Sequence, residues 1–199
     1  MVAMTTRWLL AAVVGCSIVA CGSEAAESPD GVLALYESEY DDELAAFHRV
    51  PLLLVTTDSR AIMAAPADLA VQGELLPDVW VRTISAEGVE RLRSADVSDD
   101  PTLDELLGVI GGEHLGPLEF FLPTEYLAIA TPIDDAGTRP VIEWPADAST
   151  RLGDALTCRR FPELEVGEAL ETAAAESVFS DGGVIYEVRA KQAWPGATC

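Results

Sequence analysis

From residue 50 onward, short apolar runs are separated by polar or glycine-containing breaks, and the period of the apolar positions shifts between that of a strand and that of a helix. Residues 50–55 (VPLLLV) and 61–65 (AIMAA) flank Thr56-Thr57-Asp58-Ser59-Arg60, which predicts a hairpin because Asp and Ser suit a tight turn. Residues 79–84 (VWVRTI), 126–130 (YLAIA), 140–144 (PVIEW) and 184–188 (VIYEV) read as further strands. Asp134-Asp135-Ala136-Gly137 and Ser180-Asp181-Gly182-Gly183 supply turns between them.

Helices are marked by their ends. Ser85 caps a predicted helix over 86–95, with Val89 and Leu92 on one face. Asp100 as cap and Pro101 at the first helical position open a second, in which Leu103, Leu106, Leu107 and Ile110 share a stripe until Gly111-Gly112 stops it. A third is expected over 165–179, its face formed by Val166, Ala169, Leu170, Ala173, Ala174 and Val178. Strands precede, separate and follow the helices. The order predicts an α+β fold, a single domain with a mostly antiparallel sheet and about three to four helices, rather than a regular βαβ alternation.

The N-terminus follows a different rule. Arg7 precedes the apolar run 8–19 (WLLAAVVGCSIV), which has signal-peptide length and is shorter than the roughly 20 residues a membrane span needs. Small Ala20 then stands before Cys21, the order at which a bacterial lipoprotein signal is cut after the thiol is acylated. Val13-Val14-Gly15-Cys16 has the same shape, but choosing Cys16 shortens the apolar run and leaves residues 17–20 on the mature chain. Ordinary secretory cleavage nearby and an uncleaved anchor are the alternatives. The expected organisation is a signal peptide over 1–20, an acidic tether over 21–40 and one globular domain over 41–199. Acylated Cys21 would hold the protein on the extracytoplasmic face of the cell membrane.

Charge narrows the partners. The chain carries 34 acidic and 12 basic residues, a formal net charge of −22, and Lys191 is its one lysine. Nucleic acid is excluded as a partner, because phosphate neutralisation needs many Lys and Arg. An anionic headgroup layer would repel this surface too, so a lipid rather than a basic patch must do the anchoring. Removal of Cys16 and acylation of Cys21 leave Cys158 and Cys199, an even pair in an oxidising compartment and an expected disulfide.

Candidate chemistry is sparse. The chain has no Gly-x-Ser-x-Gly, no Gly-rich phosphate loop and no His-Glu-x-x-His, and nothing in it calls for a cofactor or a metal. His48 and His114 lack metal-ligand spacing, and His114, between Gly111-Gly112 and Gly116-Pro117, reads as an exposed loop histidine. Asp99, Asp100, Asp104 and Glu105 have the oxygen ligands calcium prefers but not an EF-hand pattern. Trp144-Pro145 and Trp194-Pro195 are a candidate ligand groove, since aromatic faces suit sugars and Pro-rich peptides. Acid pairs hidden by sequence order, Asp58 with Glu87 or Glu113 with His114, are the remaining route to a hydrolase.

Several segments occur in an order that resembles a group of uncharacterised exported lipoproteins of actinobacteria. They are Val50-Pro51-Leu52, Thr57-Asp58, Leu75-Leu76-Pro77, Val81-Arg82-Thr83-Ile84-Ser85-Ala86-Glu87-Gly88-Val89, Glu143-Trp144-Pro145, Cys158, Tyr186-Glu187-Val188-Arg189, Trp194-Pro195 and Cys199. The resemblance covers roughly residues 50–199 and implies a shared fold and export, with no activity attached. Thr56-Thr57-Asp58-Ser59 and Arg189-Ala190-Lys191 depart from the group's more aromatic, glycine-containing turn and its more Pro- and Leu-rich ending. The expected function is a cell-envelope binding or interaction module, recognising an envelope protein or a cell-wall ligand, with an envelope hydrolase as the alternative.

Overall fold

The hairpin pattern at residue 50 becomes the centre of an antiparallel meander. A computed structural model describes residues 31–37, 47, 50–65, 73–98 and 100–199. In it β1 (Val32–Tyr36), β2 (Leu53–Thr56), β3 (Arg60–Ala64), β4 (Val79–Thr83) and β5 (Glu119–Phe120) pair in chain order. Leu54 faces Ile62 and Val55 faces Ala61 across the tight turn, where Ser59 takes the left-handed φ of 63° and donates its N–H to Thr56 O. β1 lies within the 21–40 stretch expected to be tether, so the folded part already includes Val32.

Between β4 and β5 come α1 (Ala86–Ser94) and α2 (Leu103–Ile110). α1 matches its expectation, with Ser85 Oγ accepting from Gly88 N–H. α2 starts later than expected. Thr102, not Asp100, is its cap: Thr102 Oγ1 accepts from Glu105 N–H while the Glu105 carboxylate accepts from Thr102 N–H, and this reciprocal pair outcompetes the Asp-Pro start.

The second sheet contains β6 (Glu125–Ile133), β7 (Val141–Glu143), β8 (Arg159–Pro162), β9 (Val178–Asp181) and β10 (Val184–Gln192), in the order β7-β9-β10-β6-β8. All its pairings are antiparallel except β7 with β9. α3 (Glu163–Glu171) follows β8 directly. It is shorter than the helix expected over 165–179, and Val178 and Phe179 belong to β9 instead. A distant segment takes the backbone that would have continued the helix: Leu75 N–H donates to Ala173 O at 2.9 Å and Ala175 N–H to Gly73 O at 2.8 Å. Tertiary hydrogen bonding thus overrides the helix propensity of Ala173-Ala174-Ala175.

The fold is α+β in four layers, α1 and α2 on the first sheet, the second sheet against it, and α3 outside. Leu53, Val55, Ala61 and Met63 pack on Leu92, Leu106 and Ile110, whereas the alternate residues Leu54 and Ile62 meet Leu127 and Trp194 of the other sheet. β2 is buried on both faces, which is why its sequence reads as a continuous apolar run rather than an alternation. Tyr126, Ala128, Val188 and Ala190 turn the opposite way, toward Val166 and Leu170 of α3. Among the described residues, no helix is long and apolar enough to cross a membrane.

Candidate functional site

β10 offers its other face, and with it Lys191, to the space between the sheets. Strand alternation sends Tyr186, Val188 and Ala190 into the α3 core, so Lys191 must point the other way. There the first sheet covers it, and the residue is only 6% exposed. Its Nζ lies 4.9 Å from the centre of the Phe47 ring and 5.3 Å from that of Trp194, both within cation–π range. None of the ion pairs among the described residues includes it. Burial pushes its pKa below the ordinary lysine value, and the charge of Glu37 only partly opposes that.

Beside this ammonium is a cavity of about 440 Å³ whose apolar walls include Val32, Leu35, Leu54 and Ile129, with Glu37 and Phe47 also on its lining. The C-terminal residues 194–199 form another wall. They are fixed by a turn in which Ala197 N–H donates to Trp194 O, by the Arg160 guanidinium donating to Ala197 O at 2.8 Å, and by the disulfide of Cys199 to Cys158, Cα atoms 5.2 Å apart. Gly196, at φ 79°, is needed here: a Cβ on it would stand 3.1 Å from Val32 Cγ2. The expected cysteine pairing is therefore present, and it braces the cavity wall.

The expected groove shared by Trp144 and Trp194 is not formed. Trp144 is 4% exposed in the α3-side core, edge-on to Phe161 and Phe179, with its Nε1–H donated to Thr150 O. Trp194 sits between the sheets and lines the Lys191 cavity. The two rings are in different cores because β7 and the chain after β10 deliver them to opposite faces of the second sheet.

A second cluster gathers at the start of α1. His114 is not a solvated loop residue: its side chain is 13% exposed, and Nδ1 lies 3.0 Å from Ser85 Oγ. Nε2 stands 3.6 Å from Glu113 Oε1 and 3.9 Å from Glu87 Oε1, both beyond hydrogen-bond length. The Glu113 carboxyl is held below its usual range, chiefly by its own backbone N–H; burial opposes this, and Arg91 and His114 add to the lowering. Ser85 Oγ is already the acceptor for Gly88 N–H. Ser85 N–H donates to His114 O and Gly116 N–H to Thr83 O, so the cluster stitches residues 112–116 to the end of β4.

Other candidates stay apart. Asp58 pairs with Arg60 at 2.7 Å and accepts from the Thr56 hydroxyl. Burial raises its pKa, but the Thr56 hydrogen bond and the Arg60 charge together lower it further than burial raises it. Cys16, Cys21, His48 and Asp99 lie outside the described residues. Glu105 is occupied in the α2 capping box, and among the described residues no group of three or more His, Cys, Asp or Glu is placed to hold a metal ion.

Sequence reasoning missed Lys191 as a site residue. The alternation of 184–192 puts it on the face with Glu187 and Arg189, which reads as solvated until the other sheet is seen above it. Its uniqueness in the chain, three residues before Trp194-Pro195, was the available signal. No family model matches this chain, nor does any curated protein or solved structure.

Proposed function

We propose that this protein is a cell-envelope lipoprotein, held by acylated Cys21 at the extracytoplasmic face of the membrane, whose folded domain works by binding rather than by catalysis. The observation that carries the binding reading is the Lys191 cavity. It combines one buried cation, two aromatic rings and aliphatic walls, which is equipment for holding a ligand. Residues 8–21 support the anchor, the Cys158–Cys199 bond suits an oxidising compartment, and the resemblance to exported actinobacterial lipoproteins agrees with both. The partner on this reading is a cell-wall or membrane component, or an envelope protein.

Metabolic labelling with an alkyne fatty acid tests the anchor. Cys21→Ser should abolish labelling and release the protein to the medium, while Cys16→Ser should leave it anchored; the opposite pattern places the anchor at Cys16. Native mass spectrometry of the acylated protein, taken from its own membranes, tests the binding. A small molecule should accompany the wild type and be absent from Ile129→Trp, which fills the cavity. A ligand-free wild type would remove the support for binding there.

The 3.0 Å contact of Ser85 with His114 favours a hydrolase as the second reading. A serine already accepting as a helix cap, facing a histidine whose carboxylate neighbours stand beyond bonding distance, is better suited to fixing α1 than to attacking a carbonyl. Stoichiometric labelling of Ser85 by a fluorophosphonate would reverse that preference.

A further inference from the structure

The cavity is amphiphilic in a particular order. Its cation is deep, 6% exposed and flanked by ring faces, while the aliphatic side chains of Val32, Leu35, Leu54 and Ile129 form the walls and exposed Glu37 also borders it. A buried ammonium is costly unless it meets an anion, and cation–π contacts offset only part of that cost. Glu37 supplies charge from nearby, and among the described residues Lys191 is in no ion pair, so the negative group of a ligand would meet both a cation and apolar surface here.

We propose that the cavity binds a single-chain amphiphile with an anionic head, the head on the Lys191 ammonium and the tail along the aliphatic wall; this deepens, and rests on, the binding reading above. Size sets the length of the tail. At roughly 30 Å³ per non-hydrogen atom, the share a water molecule takes in the liquid, the 440 Å³ cavity holds on the order of fifteen such atoms, which is one carboxylate with about a dozen carbons. Supply follows from the chain. Val32 on the cavity wall lies eleven residue steps after Cys21, and such a length extends to at most about 40 Å. A lipid on Cys21 keeps the cavity within that distance of a bilayer, where anionic amphiphiles reside.

Photocrosslinking of the acylated protein in lipid nanodiscs tests this. Three probes with the same diazirine-bearing twelve-carbon tail are compared, ending in a carboxylate, an alcohol or a trimethylammonium, with a phosphate-headed fourth to identify which anionic head is preferred. The anionic probes should crosslink to peptides containing Leu35, Leu54 or Ile129 at least tenfold more than the alcohol, and the trimethylammonium least. Lys191→Met should erase the preference for anionic heads and keep the crosslinks of the alcohol. Ile129→Trp, checked for its folded far-UV spectrum, should lower all of them. Equal crosslinking by all heads would overturn the anionic head, and an anionic preference that survives Lys191→Met would overturn its seat on the Lys191 ammonium; either result leaves the cavity as a binding site. Absence of crosslinks at these peptides for every probe would overturn both.

Discussion

Lys191 carries its ammonium where burial penalises the charged form. Its neighbours on the cavity side are the Phe47 and Trp194 rings, aliphatic side chains and Glu37, whose charge only partly opposes burial, so the charged form is penalised and the pKa falls below the ordinary 10.5. The sign of the pH dependence follows. Below the folded-state pKa the ammonium stays charged in both states and its burial destabilises the fold; as pH rises toward the unfolded-state value, the folded chain releases its proton first and the penalty fades. Lys191→Met should therefore raise the thermal midpoint at neutral pH, with the gain shrinking as pH approaches 10.5. Thermal melts of both proteins from pH 7 to pH 10.5 check this, and a variant less stable than wild type at pH 7 would mean that the lysine is structurally favourable. A lysine penalised by burial beside a cavity would, if the melts show that it weakens the fold, be the pattern expected of a residue kept for the proposed binding rather than for stability. Asp58 behaves oppositely: its lowered pKa gives stability that is present above the unfolded value near 3.8 and lost as pH falls through the folded one.

Among the elements, α1 shows how closely local signals and tertiary contacts must agree. Ser85 and the 3.6-residue period were legible in the sequence, and so were the β2–β3 hairpin and the glycine stop of α2, because short-range turn and cap chemistry decides them. What was not legible came from afar: residues 73–75 cut α3 short, and the first sheet turned the Lys191 face of β10 into an interior. Gly88 is a further case, unremarkable as a helix residue by sequence. A Cβ there would lie 2.9 Å from His114 Cβ and 3.1 Å from both Ile110 Cγ2 and Ile84 Cγ1, so the glycine lets α1 approach α2 and the 112–114 turn closely. Helix propensity alone favours Gly88→Ala by about 1 kcal/mol, whereas overpacking costs typically 1–3 kcal/mol. The variant should be destabilised on balance, read as a lower urea midpoint at unchanged m-value. A higher midpoint would show that the turn yields freely.

The Cys158–Cys199 bond joins element and molecule, since it ties the end of the chain to the start of β8 across a separation of 41 residues. Both cysteine positions were readable from the count of thiols, but not their use as a brace for the cavity wall. Replacing either cysteine with serine should cost about 2–5 kcal/mol and loosen residues 194–199. Hydrogen exchange should then quicken at Ala197, whose N–H closes the turn, and crosslinking in the cavity should fall with it. A loss of stability with unchanged exchange at Ala197 would separate the bond from the wall.

At the scale of the whole molecule, charge acts against compactness. With 34 acidic and 12 basic residues in the chain, most surface pairs are like-charged, and the fold confines that charge to a smaller volume than the unfolded chain does. The described ion pairs relieve this only locally: Arg91 with Glu113, Arg139 with Glu187 and Arg160 with Glu125 are solvent-facing and worth little each. Arg151 with Asp181 is the better sheltered pair, because Asp181 also accepts from Leu152 N–H at 2.7 Å. Long-range repulsion is screened once the Debye length drops from about 30 Å at 0.01 M salt to about 10 Å at 0.1 M, and sheltered pairs are screened much less. Moving from the lower to the higher salt should therefore raise the thermal midpoint, and sodium chloride and potassium chloride should act equally if screening is the cause. A midpoint that falls with salt would show that the attractive pairs outweigh the repulsion of the remaining acidic surface, and the acidic excess would then be neutral to the fold.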